Sequence, residues 1–135
     1  MLCVLGVAPN ASADPTGGGC RPSGYPVAAG VSLRPCDYGA IDNTIYGNVY
    51  VTDPTGLNID VCAQLLQVNV DGSTTQVGDF GCAGWTNTHL QTFYTKSISV
   101  TPGVEYVLQT GFWATINGHY GYQGDVQGPR ASTHG

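Results

Sequence analysis

Apolar and polar residues alternate with a period of two along most of the chain after residue 26. Such alternation is typical of strands that bury one side, because successive side chains point to opposite sides of a strand. Turn residues such as Asp-Pro, Asp-Gly and Asn-Gly separate the alternating segments. The predicted strands cover 27–34, 44–52, 57–70, 75–82, 91–101, 104–116 and 119–126. About seven strands predict an all-β fold, a single antiparallel β-sandwich of immunoglobulin-like size, with a small barrel as the alternative.

The first residues have the pattern of a secretory signal peptide. An apolar run is followed by Ala11-Ser12-Ala13, a small-residue cleavage motif. We therefore interpret residues 1–13 as the remnant of a signal peptide and expect a secreted, extracellular protein. The rest of the chain divides into a flexible Gly/Pro-rich arm (14–26), a β-sandwich domain (27–127) and a frayed tail (128–135).

Cysteine spacing indicates disulfides. Cys3 leaves with the signal peptide, and an even number remains, which favours two disulfides in an oxidising compartment. The four remaining cysteines are Cys20, Cys36, Cys62 and Cys82. A zinc site is the alternative, but zinc ligands usually include cysteines only two to four residues apart. These cysteines are much more widely spaced, so we predict no metal site.

The hairpin around the Asp-Gly-Ser turn predicts which cysteines pair. A three-residue loop at 71–73 would place Val70 opposite Thr74, and the same register places Cys62 opposite Cys82, within disulfide reach. The second disulfide, Cys20–Cys36, follows by elimination. The apolar residues of the first strand change phase halfway along it, which indicates a β-bulge that would shift this register.

A second hairpin surrounds Asn117-Gly118, a strong signal for a two-residue type I′ turn. This turn sets Trp113 opposite Tyr122 and Gly111 opposite Gly124. In the strand before the turn, one of the two alternating sets is the more apolar and is expected to face the core. That set is Val104, Tyr106, Leu108, Phe112, Ala114 and Ile116.

This register places aromatic side chains on the outer side of the hairpin, and these are the candidate binding residues. They are Trp113, Tyr120 and Tyr122, with Asn117 and Gln123 as neutral polar neighbours. Trp85 either extends the patch or plugs the end of the sandwich. The alternative for the three rings is that a bulge or an overlying loop tucks them in. Exposed rings suit stacking on sugars, and Trp and Tyr are also frequent anchors of protein interfaces.

Charge and composition exclude several classes of function. Nine acidic residues face four basic ones, which argues against nucleic acid and against an anionic membrane surface. With one Glu, one Lys, three His and no recognisable catalytic motif, we predict no enzyme, no catalytic residue and no cofactor.

The Ala-Ser-Ala signal end, the Gly/Pro arm and a low-charge sandwich with two disulfides resemble the small secreted proteins of actinobacteria. Within that group, the architecture of residues 14–127 is similar to the small adaptor subunit of umbrella toxin particles. The resemblance implies a non-catalytic adaptor that binds another secreted protein in a large toxin complex. The alternatives are a carbohydrate-binding module that uses the aromatic hairpin and an inhibitor of a foreign hydrolase.

Overall fold

The computed structural model describes residues 17–134. The predicted signal remnant, Cys3 and the first residues of the predicted arm lie outside this range. The ten strands are β1 (Gly18–Cys20), β2 (Tyr25–Ala28), β3 (Val31–Gly39), β4 (Thr44–Thr52), β5 (Ile59–Val68), β6 (Thr74–Thr86), β7 (Leu90–Tyr94), β8 (Ile98–Ser99), β9 (Glu105–Ile116) and β10 (His119–Gln127). Among the described residues there is no helix with the length and apolar character needed to cross a membrane.

The strands form two antiparallel sheets. A four-stranded sheet has the order β10–β9–β5–β6, and a six-stranded sheet has the order β1–β3–β4–β7, with β2 added beside β3 and β8 beside β4. The predicted all-β sandwich with two disulfides is therefore confirmed. The strand count differs, because turns divide two of the predicted strands and β1 was not expected.

Alternating apolar residues from both sheets meet in the core. This confirms which side of β9 was predicted to face the core. The buried residues of β9 include Tyr106, Leu108, Phe112 and Ala114. They pack against β-branched and leucine side chains of β3, β4 and β5, which suit the pleated inner side of a sheet. The fully buried side chains of those strands include Val31, Leu33, Ile45, Val49, Val61 and Leu65.

Three register shifts in the β5–β6 hairpin decide the cysteine pairing. The predicted pairing of Val70 with Thr74 is wrong, because Thr74 lies opposite Val68. Two of the shifts fall between this turn and the disulfide, and each adds one residue to β6. They restore the register in which Cys62 lies opposite Cys82, and the Cys62–Cys82 disulfide forms as predicted. A bulge was indicated by the phase change in β5, but the extra residues lie in β6, since β5 pairs regularly with β9.

Both segments that flank the predicted domain are part of the sandwich where the structure describes them. β1, inside the predicted arm, pairs with β3 and is joined to it by the Cys20–Cys36 disulfide. In the predicted tail, the backbone N–H of Ala131 donates to Tyr106 O, and Tyr106 N–H donates to Ala131 O, both at 2.8 Å. Ala131 and Thr133 are buried. Backbone pairing therefore orders segments whose composition has no strand periodicity.

Candidate functional site

The β9–β10 hairpin has the turn that its sequence predicts. Asn117 and Gly118 have φ values of 52° and 78°, as a type I′ turn requires. Trp113 lies opposite Tyr122, as expected. Gly111 faces Gly124 and Asp125 together rather than Gly124 alone, because the register shifts between residues 123 and 126. One extra residue in β10 interrupts the ladder there.

Four aromatic rings form a continuous cluster on the outer side of the four-stranded sheet. We call this cluster the aromatic face; its residues are Trp85, Trp113, Tyr120 and Tyr122. The Trp113 and Tyr120 rings are stacked, with centroids 5.4 Å apart, and the Tyr122 ring meets the Trp113 ring edge-on at 5.3 Å. The Trp85 ring lies 6.3 Å from that of Tyr120. The exposed fractions are 37% for Trp113, 50% for Trp85 and 63% for Tyr120.

Trp85 joins this cluster from the far edge of the sheet. It pairs with Asp60 of β5, and Asp60 pairs with Trp113 of β9, so one row of residues crosses three strands. The Asp60 carboxylate accepts a hydrogen bond of 2.9 Å from Gly84 N–H. This contact holds the bulged end of β6 against β5. Of the two alternatives for Trp85, the structure favours the extended patch.

Tyr122 is the least exposed of the four rings because it lies flat on the sheet. A Cβ at Gly111 would collide with the Tyr122 phenol, so this glycine makes room for the ring. Burial is the main reason that the pKa of the Tyr122 phenol is raised. A hydrogen bond with Asp125 and the negative charge of that residue raise it further. The ring therefore forms the neutral floor of the aromatic face.

The two neutral polar candidates occupy different places. Asn117 is exposed in the turn at the tip of the hairpin. Gln123 lies opposite Phe112, whose side chain points into the core. Because successive residues of a strand point to opposite sides, Gln123 lies on the side away from Tyr122. The structure therefore does not bring Gln123 to the aromatic face.

One group of potential metal ligands lies beside the aromatic face. Ligand atoms of Asp60, Cys62 and Cys82 lie within 4.8 Å of one another. Both sulfur atoms belong to the Cys62–Cys82 disulfide. A metal-binding cysteine must supply a thiolate, so this group does not offer the soft ligands of a zinc site.

A buried carboxyl group between the sheets was not predicted from the sequence. Asp37 of β3 is fully buried, and its Oδ2 accepts a hydrogen bond of 2.9 Å from Leu108 N–H of β9. Its Oδ1 is buried without a hydrogen-bond partner. Burial raises the pKa of Asp37 to about 8, and the hydrogen bond from Leu108 opposes this rise. Asp37 thus links the two sheets within the core.

Comparisons with known proteins do not extend these observations. No protein-family model, no curated protein and no solved structure matches the chain.

Proposed function

We propose that this protein is a secreted, non-catalytic binding module whose aromatic face docks onto another secreted protein. The observation that carries the proposal is the unbroken contact of four rings, contributed by β6, β9 and β10, on the outer side of one sheet. Exposed Trp and Tyr clusters are typical anchors of protein interfaces. The two disulfides are consistent with an oxidising compartment such as the extracellular space.

The arrangement of the rings favours a protein partner over a sugar. Trp113 and Tyr120 stack on each other, so each covers part of one face of the other ring. A sugar packs on one ring face, whereas a protein side chain can also pack against edges and across the whole cluster. Asp60 pairs directly with Trp113, and Asp125 interacts with Tyr122. Carboxylates among aromatic rings suit arginine or lysine side chains on the partner.

The resemblance to the small adaptor subunit of umbrella toxin particles indicates what kind of protein this partner is. It suggests a larger secreted chain in a toxin complex, which this protein connects to a further component. A small sandwich with disulfides fits that role, because its rigid sheet can present the same surface without ordering a loop on binding.

A pull-down from the culture medium of the producing organism tests the proposal. Tagged protein should recover one or two large partners in fixed ratio, identified by mass spectrometry and native sizing. Truncation of a buried interface anchor commonly costs at least about 2 kcal/mol, so Trp113→Ala and Tyr120→Ala should each weaken the complex about 30-fold or more. Val70→Ala is the matched control, because Val70 is a fully exposed apolar residue in the β5–β6 turn.

The control should bind as the wild type does. Recovery of a lone monomer from the medium, or equal recovery of the partner by Trp113→Ala and the wild type, would contradict the proposal.

A further inference from the structure

The outer side of the six-stranded sheet has an aromatic surface of its own. We call it the tyrosine face; its residues are Tyr38, Tyr46, Tyr50 and Tyr94. Their neighbours along the strands, such as Val49 and Val51, point into the core, so alternation places the four tyrosines outside. The exposed fractions are 40% for Tyr46, 43% for Tyr50 and 75% for Tyr94.

Cross-strand pairing combines these rings with polar groups. Tyr38 lies opposite Tyr46, and their ring centroids are 5.3 Å apart. Tyr50 lies opposite Arg34, whose guanidinium group sits over the ring at 5.6 Å. The same guanidinium donates from Nε to Arg21 O at 2.7 Å. Arg34 is therefore held in place beside Tyr50 by two separate contacts.

Asn48 is the central residue of this surface and has an unused hydrogen-bond donor. It lies between Tyr46 and Tyr50 along β4 and opposite Tyr94 of β7. Its side chain is only 7% exposed, and its Nδ2 is buried without a hydrogen-bond partner. Buried amide groups almost always have a partner in native proteins. An acceptor oxygen from a ligand would supply the missing contact.

Within the described strands of this sheet, Arg34 is the only charged residue on the outer side. Asp37 is the only acidic residue in the described strands of this sheet, and its carboxyl group is in the core. Burial, and then the proximity of Tyr50 and Tyr46, raises the pKa of the Tyr38 phenol. The Tyr38 phenol therefore keeps its proton, and it can both donate and accept a hydrogen bond.

We propose that the tyrosine face binds an oligosaccharide chain, with tyrosine rings stacked on the sugars and the Asn48 amide donating to a sugar oxygen. Sugar hydroxyls donate and accept hydrogen bonds as phenols do, so a carbohydrate matches both the rings and the polar groups. Tyr46 and Tyr50 are four residues apart, about 13 Å along an extended strand. This length suits several linked sugars better than one. The site goes beyond the proposed function and lies on the opposite sheet.

Isothermal titration with defined sugars tests this site. The probes are cellohexaose, chitohexaose, maltohexaose and hexagalacturonate, with glucose as the monosaccharide. At least one hexasaccharide should bind, about tenfold or more tighter than glucose, and Tyr50→Ala should weaken that binding about tenfold or more. Hexagalacturonate distinguishes an acidic chain that pairs with Arg34 from a neutral one. In ¹⁵N-labelled protein, the side-chain amide signal of Asn48 should shift on binding.

Trp113→Ala is the control, because it removes a ring from the opposite face and should leave sugar binding unchanged. Failure of every hexasaccharide to bind would overturn the proposal. Binding that is lost in Trp113→Ala and kept in Tyr50→Ala would also overturn it, because the sugar would then occupy the aromatic face. The pull-down with Trp113→Ala reports separately on the protein partner, so the two proposals fail independently.

Discussion

The buried carboxyl group of Asp37 makes stability depend on pH, and Asp37→Asn tests this. Burial raises the pKa of Asp37 from its ordinary 3.8 to about 8. Between these values the folded protein holds a proton that the unfolded chain has lost. Folding therefore takes up a proton, and stability falls as the pH rises through this window. The contribution is fully present below about pH 4, is lost by about pH 8 and is constant above that.

The size of the effect follows from the pKa difference. Each pH unit corresponds to about 1.4 kcal/mol, so the whole window is worth on the order of 5 kcal/mol. Small domains have a total stability of about 5–15 kcal/mol. The ionisation of this one carboxyl group is therefore large enough to weaken the fold visibly at alkaline pH.

Urea unfolding followed by far-UV circular dichroism, with the disulfides intact, measures the effect. From about pH 5 to about pH 8 the wild type should lose roughly 1 kcal/mol per pH unit. Asp37→Asn, which cannot ionise, should lose much less and should be more stable than the wild type at about pH 9. Asp79→Asn is the control, because Asp79 is exposed, and it should follow the wild type. Equal pH slopes in the wild type and Asp37→Asn would refute the reasoning.

Three further variants test the hairpins by thermal and urea unfolding. Gly111→Ala should cost roughly 1–3 kcal/mol, because its Cβ collides with the Tyr122 ring. Gly121→Ala should cost less, because its Cβ would make only an ordinary contact of 3.9 Å with Gln123 Nε2. Equal losses would contradict this packing. Replacing both Cys62 and Cys82 by Ala should cost about 3 kcal/mol, because their disulfide spans 20 residues, and an unchanged melting temperature would contradict it. Gly118→Ala should cost about 1 kcal/mol at its left-handed φ, and a neutral result would argue against the type I′ turn.

The parts of the fold that were predicted correctly are those set by side-chain alternation. β4 begins and ends at the predicted residues, 44 and 52. The residues of β9 that face the core are the more apolar of its two alternating sets. The Cys62–Cys82 disulfide was also predicted correctly, although the register assumed at the turn was wrong. The turn is longer than predicted, because Thr74 pairs with Val68. Two extra residues in β6 compensate for this difference, so that Cys62 still lies opposite Cys82. Alternation alone does not reveal such extra residues.

One missed feature, β1, depends on contacts that have no periodic signal, whereas Gln123 and the tyrosine face left a partial signal in the sequence. β1 contains two glycines, and its pairing with β3 rests on backbone hydrogen bonds and the Cys20–Cys36 disulfide. The inward position of Gln123 follows from the register next to Phe112, which the hairpin already implied. The tyrosine face had a usable signal, because Tyr46 and Tyr50 share one side of a predicted strand. Its pairing with Tyr38 and Tyr94 required the strand order, which the sequence alone does not contain.

The contacts of Ala131 bring the two ends of the described chain to one edge of the sandwich, because Ala131 bridges to both Gly17 and Tyr106. The two ends of the described backbone therefore lie close to each other. A short linker from residue 134 to residue 17, with new ends cut in the exposed loop at 69–73, should give a circular permutant that folds. In an assembly, any domain fused to either end would leave from the same corner of the molecule.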